Sequence, residues 1–223
     1  LPSQLLLTNV RHVLRELGLR PKKTLGQYFL TDRKVLRALI DASDVSSSDI
    51  IVEIGPGLGT LTRELAQRAS QVIAIEVDKE LVSTLKMNEF PNINVIADDA
   101  RTVDVCKLTN TYCTYKLIGN LPYYAASHIL RHFLESPCKP AVAVVTVQKE
   151  VAQQMTAQPN DMSLLSIATQ FYGHPRIVRT VQPTAFYPRP KVTSAIVQIR
   201  VHQSPLLEER HVSGFFRIVR AGF

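Results

Sequence analysis

The most specific chemical signal in the chain is the tetrapeptide Asn120-Leu121-Pro122-Tyr123. The exocyclic amino nitrogen of a nucleobase is a poor nucleophile, because its lone pair is delocalised into the ring. The amide oxygen of Asn120 and a backbone carbonyl freed at Pro122 could each accept one amino hydrogen, leaving the lone pair aimed at an electrophile. Tyr123 could stack on the base, a contact worth roughly 1–3 kcal/mol. Such chemistry needs no strong general base and rests on positioning and electrostatics. The target base must be unstacked, or already in a loop, to reach the tetrapeptide. The competing reading is an ordinary strand-ending turn punctuated by proline.

Three preceding features make a chance tetrapeptide less credible. Glu53-Ile-Gly-Pro-Gly-Leu-Gly59 follows an apolar run and opens a helical pattern. Gly55, Gly57 and Gly59 let the backbone turn tightly and approach a ligand. Their G-x-G-x-G spacing differs from the G-x-G-x-x-G of dinucleotide sites, so a nucleoside without a pyrophosphate suits it better. Glu76 lies 21 residues after Gly55, where a carboxylate can bind both ribose hydroxyls. Asp98 and Asp99 close a third apolar run, and an aspartate there could accept a hydrogen bond from an adenine amino group.

The elements that must position these residues alternate between strand and helix. Apolar runs at 49–55, 71–78, 93–99, 115–120 and 141–148 read as buried parallel strands. Helical patterns follow at 59–69, 79–88, 126–135, 149–157 and 163–172. This order predicts a doubly wound sheet, with ligands at the carboxyl ends of its strands. RIVRTVQP and KVTSAIVQIRV, joined by a proline-rich loop, predict a terminal antiparallel hairpin. A helical pattern begins at Leu206. Near the start, Leu5, Val10, Val13, Leu14 and Leu17 predict an amphipathic helix rather than a leader.

Composition narrows the partners. The 223 residues carry a net charge of +7, which favours a polyanion but is weak evidence alone. No apolar run reaches the roughly 18 residues of a membrane span. Cys106, Cys113 and Cys138 form no C-x-x-C pair, so reduced thiols are expected and neither a disulfide framework nor a zinc site. His128 and His132 are four apart on a predicted helix, but no third ligand is evident, so no metal is expected.

Taken together, the motifs resemble those of the KsgA-type ribosomal RNA adenine dimethyltransferases, from about Leu19 to Phe223. Pro21–Asp32 resembles the family's N-terminal motif, Glu53–Thr62 its cofactor loop and Asn120–Tyr123 its catalytic motif. Val147–Ala152, Phe186–Ser194 and Phe215–Phe223 also fit. The resemblance implies an α/β, Rossmann-like class I methyltransferase fold with a mostly parallel seven-stranded sheet. It implies a methyltransferase domain over 1–204 and the beginning of a small helical domain over 205–223.

The same resemblance implies S-adenosylmethionine as methyl donor and S-adenosylhomocysteine as product. Gln27, Tyr28 and Leu30 would contact the methionine end, although the family usually has Asn or His where Tyr28 stands. Gly55, Gly57, Glu76 with Val77, Asp99 with Ala100, and Asn120 would complete the cofactor site. Asn120, Leu121, Pro122 and Tyr123 would form the catalytic set, with Phe186 flanking the target adenine opposite Tyr123. Lys22, Lys23, Arg189 and Lys191 flank these motifs and are expected to touch RNA rather than to be merely solvated charges. The implied partner is small-subunit rRNA within a ribosomal subunit or its precursor, met by a cytoplasmic monomer. Three other functions compete: a large-subunit adenine methyltransferase conferring antibiotic resistance, a non-catalytic assembly factor, and an NAD oxidoreductase. Glycine spacing and the lack of a hydride-site acid disfavour the last.

Overall fold

The computed structural model describes residues 9–86, 90–109 and 114–223. The chain enters through helix α1 (Val10–Glu16), short strand β1 (Phe29–Leu30) and helix α2 (Arg33–Ser43). Strand and helix then alternate: β2 (Ile50–Ile54), α3 (Thr60–Ala66), β3 (Gln71–Glu76), α4 (Lys79–Lys86), β4 (Ile93–Ala97), α5 (Val105–Thr109), β5 (Tyr115–Asn120), α6 (Ala126–Glu135) and β6 (Val142–Gln148). Helices α7 (Lys149–Met155) and α8 (Leu164–Tyr172) lead to β7 (Gly173–Val181), β8 (Phe186–Tyr187), β9 (Ser194–Val201) and α9 (Glu209–Gly222).

Seven strands form one sheet in the order β4-β3-β2-β5-β6-β9-β7. The first five are parallel, while β9 runs antiparallel to both β6 and β7. The expected doubly wound sheet with a terminal hairpin is therefore present. Its central strands are apolar throughout because both faces are covered: Ile51, Val52, Leu117, Ile118, Val144 and Val145 are fully buried. Each such side chain contributes about 1.5–3 kcal/mol on leaving water. Strand order reverses between β2 and β5, which opens a crevice at their carboxyl ends.

Several local expectations need correction. Strands β3 and β4 end at Glu76 and Ala97, so Asp78, Asp98 and Asp99 lie in the following loops. Helix α3 stops at Ala66, three residues earlier than expected. Helix α2 had not been anticipated. Asp32 caps it, its carboxylate accepting from the backbone of Lys34 and Val35 at 2.7 and 3.3 Å. The proline-rich loop contributes β8, which pairs with β1 as a separate antiparallel ribbon. Leu5, Asn88 and Cys113 lie outside the described residues.

The reduced-thiol expectation is also corrected, because Cys106 and Cys138 are joined by a disulfide. Their Cα atoms are 5.3 Å apart although 32 positions separate them. No C-x-x-C spacing is needed, since α5 and the loop after α6 bring the two together. The helix expected from Leu206 is α9, which seats Phe215 and Phe216 on Phe171 of α8, with ring centroids 4.9 and 5.1 Å apart. Among the described residues, no helix is long and apolar enough to cross a membrane.

Candidate functional site

A cleft opens over the carboxyl ends of β2, β3, β4 and β5. Gly55 and Gly57 form its floor, with φ of +66° and +58°, a region that favours glycine. A side chain at 57 would also meet the Phe29 ring at 3.2 Å. The loop is braced from below by Arg63, whose Nη1 donates to the carbonyls of Leu58 and Gly59 at 3.0 and 3.3 Å.

Glu76 stands at the end of β3 and holds the loop from the side. Its Oε2 accepts from the Gly57 amide at 3.2 Å and its Oε1 from the Asp78 amide at 3.0 Å. Burial raises its pKa, a tendency these backbone bonds oppose. Val77 and Ala100 line the same cleft. Asp99 lies across it, gripped by Arg101, whose Nε and Nη2 lie 3.0 and 2.6 Å from Oδ2. That guanidinium holds the Asp99 carboxyl below its usual range. Arg101 also lies 6.0 Å from the ring centre of Tyr124, a further lining residue.

The N-terminal motif straps over the cleft. Lys22 pairs with Asp78 and Glu80 at 2.7 and 2.5 Å. Gln27 donates to the other Asp78 oxygen at 2.7 Å and accepts from the Lys22 amide at 2.8 Å. Partial burial would raise the Asp78 pKa, but the bonds from Lys22 and Gln27 lower it on balance. Lys22, expected at RNA phosphate, is thus tied to carboxylates, whereas Lys23, Arg189 and Lys191 are exposed. Leu30 lines a small cavity behind the glycine loop, together with Tyr28 and Glu53.

The tetrapeptide follows β5. Asn120 Nδ2 donates to the Tyr28 carbonyl at 2.7 Å, which fixes the amide and leaves Oδ1 buried without a partner. The Pro122 carbonyl is not free as expected: it accepts from the Ala125 amide at 3.0 Å. Among the described residues no backbone donor meets the Leu121 carbonyl, and Pro122 has no N–H of its own. Tyr123 is anchored by a 2.5 Å hydrogen bond between its hydroxyl and Ser194 Oγ. Burial raises its pKa, so the ring remains a neutral phenol. Phe186 is 3% exposed, on the ribbon beside Leu30. His132 lies on α6 with Nε2 2.7 Å from the Val103 carbonyl and is not among the residues that line the cleft.

These features fit a cationic nucleoside such as S-adenosylmethionine. Glu76 can take ribose hydroxyls, Asp99 an adenine amino group, and the glycine loop lets a ligand approach the backbone. The unpartnered oxygen belongs to Asn120, which lines that cleft three residues before Tyr123. A family model described as ribosomal RNA adenine dimethylase matches residues 18–223.

The chain belongs to that family. A relative named ribosomal RNA small subunit methyltransferase A, from Dehalococcoides mccartyi, is 43% identical over 98% of this chain and 76% of its own length. A relative of the same name from Moorella thermoacetica is 41% identical over 95% of this chain and 77% of its own. Among solved structures, a dimethyladenosine transferase from Plasmodium falciparum superposes with a TM-score of 0.76 at 28% identity, covering 86% of this chain and 69% of that one. The 23S rRNA methyltransferase ErmE gives 0.74 at 32% identity, covering 86% and 77%. The dimethylase family assignment agrees with the Rossmann-like class I sheet described above.

Sequence reasoning named Glu53 only as the first residue of the glycine loop and missed other site residues altogether. Glu53 is 1% exposed at the end of β2, and burial pushes its pKa up to about 8, with Glu76 adding and Thr62 opposing. A carboxylate inside an apolar strand was the available signal. Asp78, Arg63 and Arg101 gave none, since exposed and paired charges look alike in sequence, and Tyr124 reads as one more aromatic after the tetrapeptide.

Proposed function

We propose that this chain transfers methyl groups to the exocyclic amino groups of two adjacent adenines near the 3′ end of small-subunit rRNA, two to each. The unpartnered buried oxygen of Asn120, three residues before Tyr123, carries this reading. A buried acceptor without a donor costs free energy, about 1–3 kcal/mol, unless a ligand meets it. An adenine amino group supplies the donor. Its second hydrogen goes to the Leu121 carbonyl, and Tyr123 stacks on the ring. Held so, the nitrogen lone pair turns out of conjugation. S-adenosylmethionine, when bound, supplies an electrophilic methyl group and leaves as S-adenosylhomocysteine. Glu76, Asp99, the glycine loop and the strap from Gln27 to Leu30 hold it. The methylated amino group becomes acidic and loses its proton to water, so no side-chain base is required.

The names of the relatives at 41–43% identity support the small subunit as substrate. The large-subunit reading rests on one solved structure at 32% identity and is the weaker. In this reading 1–204 form the catalytic domain, 205–223 begin a helical unit, and the protein works as a monomer where ribosomal subunits are assembled. Exposed Lys23, Arg189 and Lys191 meet rRNA phosphate.

The test uses labelled S-adenosylmethionine and undermethylated small subunits, with nucleoside analysis of the product. Dimethyladenosine should appear with the wild type and vanish with Asn120→Ala. Binding of cofactor and subunit without transfer by the wild type would sink the assignment and favour the large-subunit or assembly-factor readings.

A further inference from the structure

The ring of Tyr28 lies against Tyr123, with centroids 5.2 Å apart and planes 27° from parallel. Pairing in the β1–β8 ribbon shows which side it comes from. Leu30 opposes Phe186 and Phe29 opposes Tyr187. Directly opposed residues share a face and neighbours along a strand alternate. Packing agrees: Phe29 and Tyr187 join the cluster of Leu58 and Leu81, whereas Leu30 and Phe186 join that of Leu39 and Leu61. Tyr28 packs with the second cluster, so it stands on the Phe186 face. Tyr28 therefore reaches from the side of Phe186 to the ring of Tyr123.

Its backbone and side chain are held very differently. The Tyr28 carbonyl accepts from Asn120 Nδ2 at 2.7 Å, next to the unpartnered Oδ1. Among the described residues no hydrogen bond is made by the Tyr28 hydroxyl. Tyr123, in contrast, is fixed at its tip by Ser194. A ring whose hydroxyl makes no hydrogen bond thus covers one face of a ring that is fixed at its tip.

Resting on the function proposed above, we propose that Tyr28 is a placeholder for the target base and a specificity-determining residue of the site. Its ring holds the stacking face of Tyr123 until an adenine displaces it by side-chain rotation. The incoming base must stack better than a phenol. A two-ring purine meets that demand more readily than a one-ring pyrimidine.

The experiment compares wild type with Tyr28→Phe, Tyr28→Ala and Tyr28→Leu. Methyl transfer to undermethylated small subunits is measured at saturating S-adenosylmethionine, with the cofactor KM determined separately. In parallel, a single-stranded RNA carrying 2-aminopurine reports stacking by quenching; the chain has no tryptophan to interfere. Removing an aromatic competitor should lower the KM for the subunit about two- to twelvefold in Tyr28→Ala. The kcat should fall far less than for Asn120→Ala. Quenching should saturate at lower protein concentration, and 2-aminopurine should lose its advantage over a fluorescent pyrimidine. Tyr28→Phe keeps the stacking ring, so the KM for the subunit should not fall as it does in Tyr28→Ala. Tyr28→Leu keeps apolar packing without a stacking ring, so it decides the matter if Tyr28→Ala does not fold. A KM that is unchanged or raised in the folded truncation overturns the placeholder and makes Tyr28 a platform or a cofactor contact. No transfer by the wild type sinks the enzymatic reading instead.

Discussion

Replacing Glu53 with Gln should flatten part of the pH dependence of folding. Glu53 is 1% exposed, and burial, assisted by the nearby Glu76 carboxylate, moves its pKa from 4.5 to about 8. Between these values the folded chain keeps a proton that the unfolded chain has released. Its stabilising contribution is therefore fully present below about pH 4.5 and is lost as pH rises through about 8. At about 1.4 kcal/mol per pKa unit, the loss reaches about 5 kcal/mol once both states are ionised. From about pH 5 to pH 8 it amounts to about 3–4 kcal/mol.

Glutamine has nearly the same shape and no proton to lose, so it removes this slope. Glu76, also raised by burial, keeps a slope of the same sign in both proteins. The difference between the two curves consequently reports Glu53 together with its coupling to Glu76. Urea unfolding at steps across that range is the assay, because its midpoint and slope give stability directly. The variant should match the wild type within about 1 kcal/mol at pH 5 and exceed it by about 3–5 kcal/mol at pH 8. Parallel curves would refute the argument. They would show either that Glu53 is ionised at neutral pH in a site that solvates it, or that the unfolded chain holds the same proton.

Three other outcomes follow from the geometry. Glu76→Gln should raise the Kd for S-adenosylhomocysteine about ten- to hundredfold by calorimetry, since an amide nitrogen would face the Gly57 or Asp78 N–H that the carboxylate now accepts. Gly119→Ala should destabilise the fold by about 1–3 kcal/mol in urea, because its Cβ would sit 2.5 Å from the Ile54 carbonyl oxygen on the adjacent strand. Reducing the Cys106–Cys138 bond should cost about 3–4 kcal/mol by the loop it closes. Thiol titration of denatured protein, with and without reductant, should differ by two groups.

What was legible in the sequence was local. The five parallel strands read directly because each is a short apolar run with a turn residue at its end, and burial on both faces demands that composition. Asn120, Glu76 and Gly57 could be placed because chemistry in such a sheet collects where those runs stop. The ribbon could not be read. Each of its strands has two residues, too few for a period, and its partners Leu30 and Phe186 are far apart in the chain. The same holds for the Lys22–Asp78 pair and for the disulfide, which depend on where α5, α6 and the N-terminal strap come together.

That division has a consequence for the site itself. The locally encoded residues build a rigid floor on the sheet: Glu76 and the glycine loop brace each other, and Asn120 ends β5. The non-locally encoded contacts build the roof. Lys22 and Gln27 tie the strap to Asp78, and β8 carries Phe186 against β1. Residue 28 lies between those two attachments, with only its carbonyl bonded to the floor. A backbone held on both sides fixes where a side chain starts but not which rotamer it takes. On the placeholder proposal, the Tyr28 ring turns while the strap and the ribbon keep their attachments. Chemistry on a bulky RNA base demands that combination, because the methyl donor must stay shielded from water while the acceptor enters from solution.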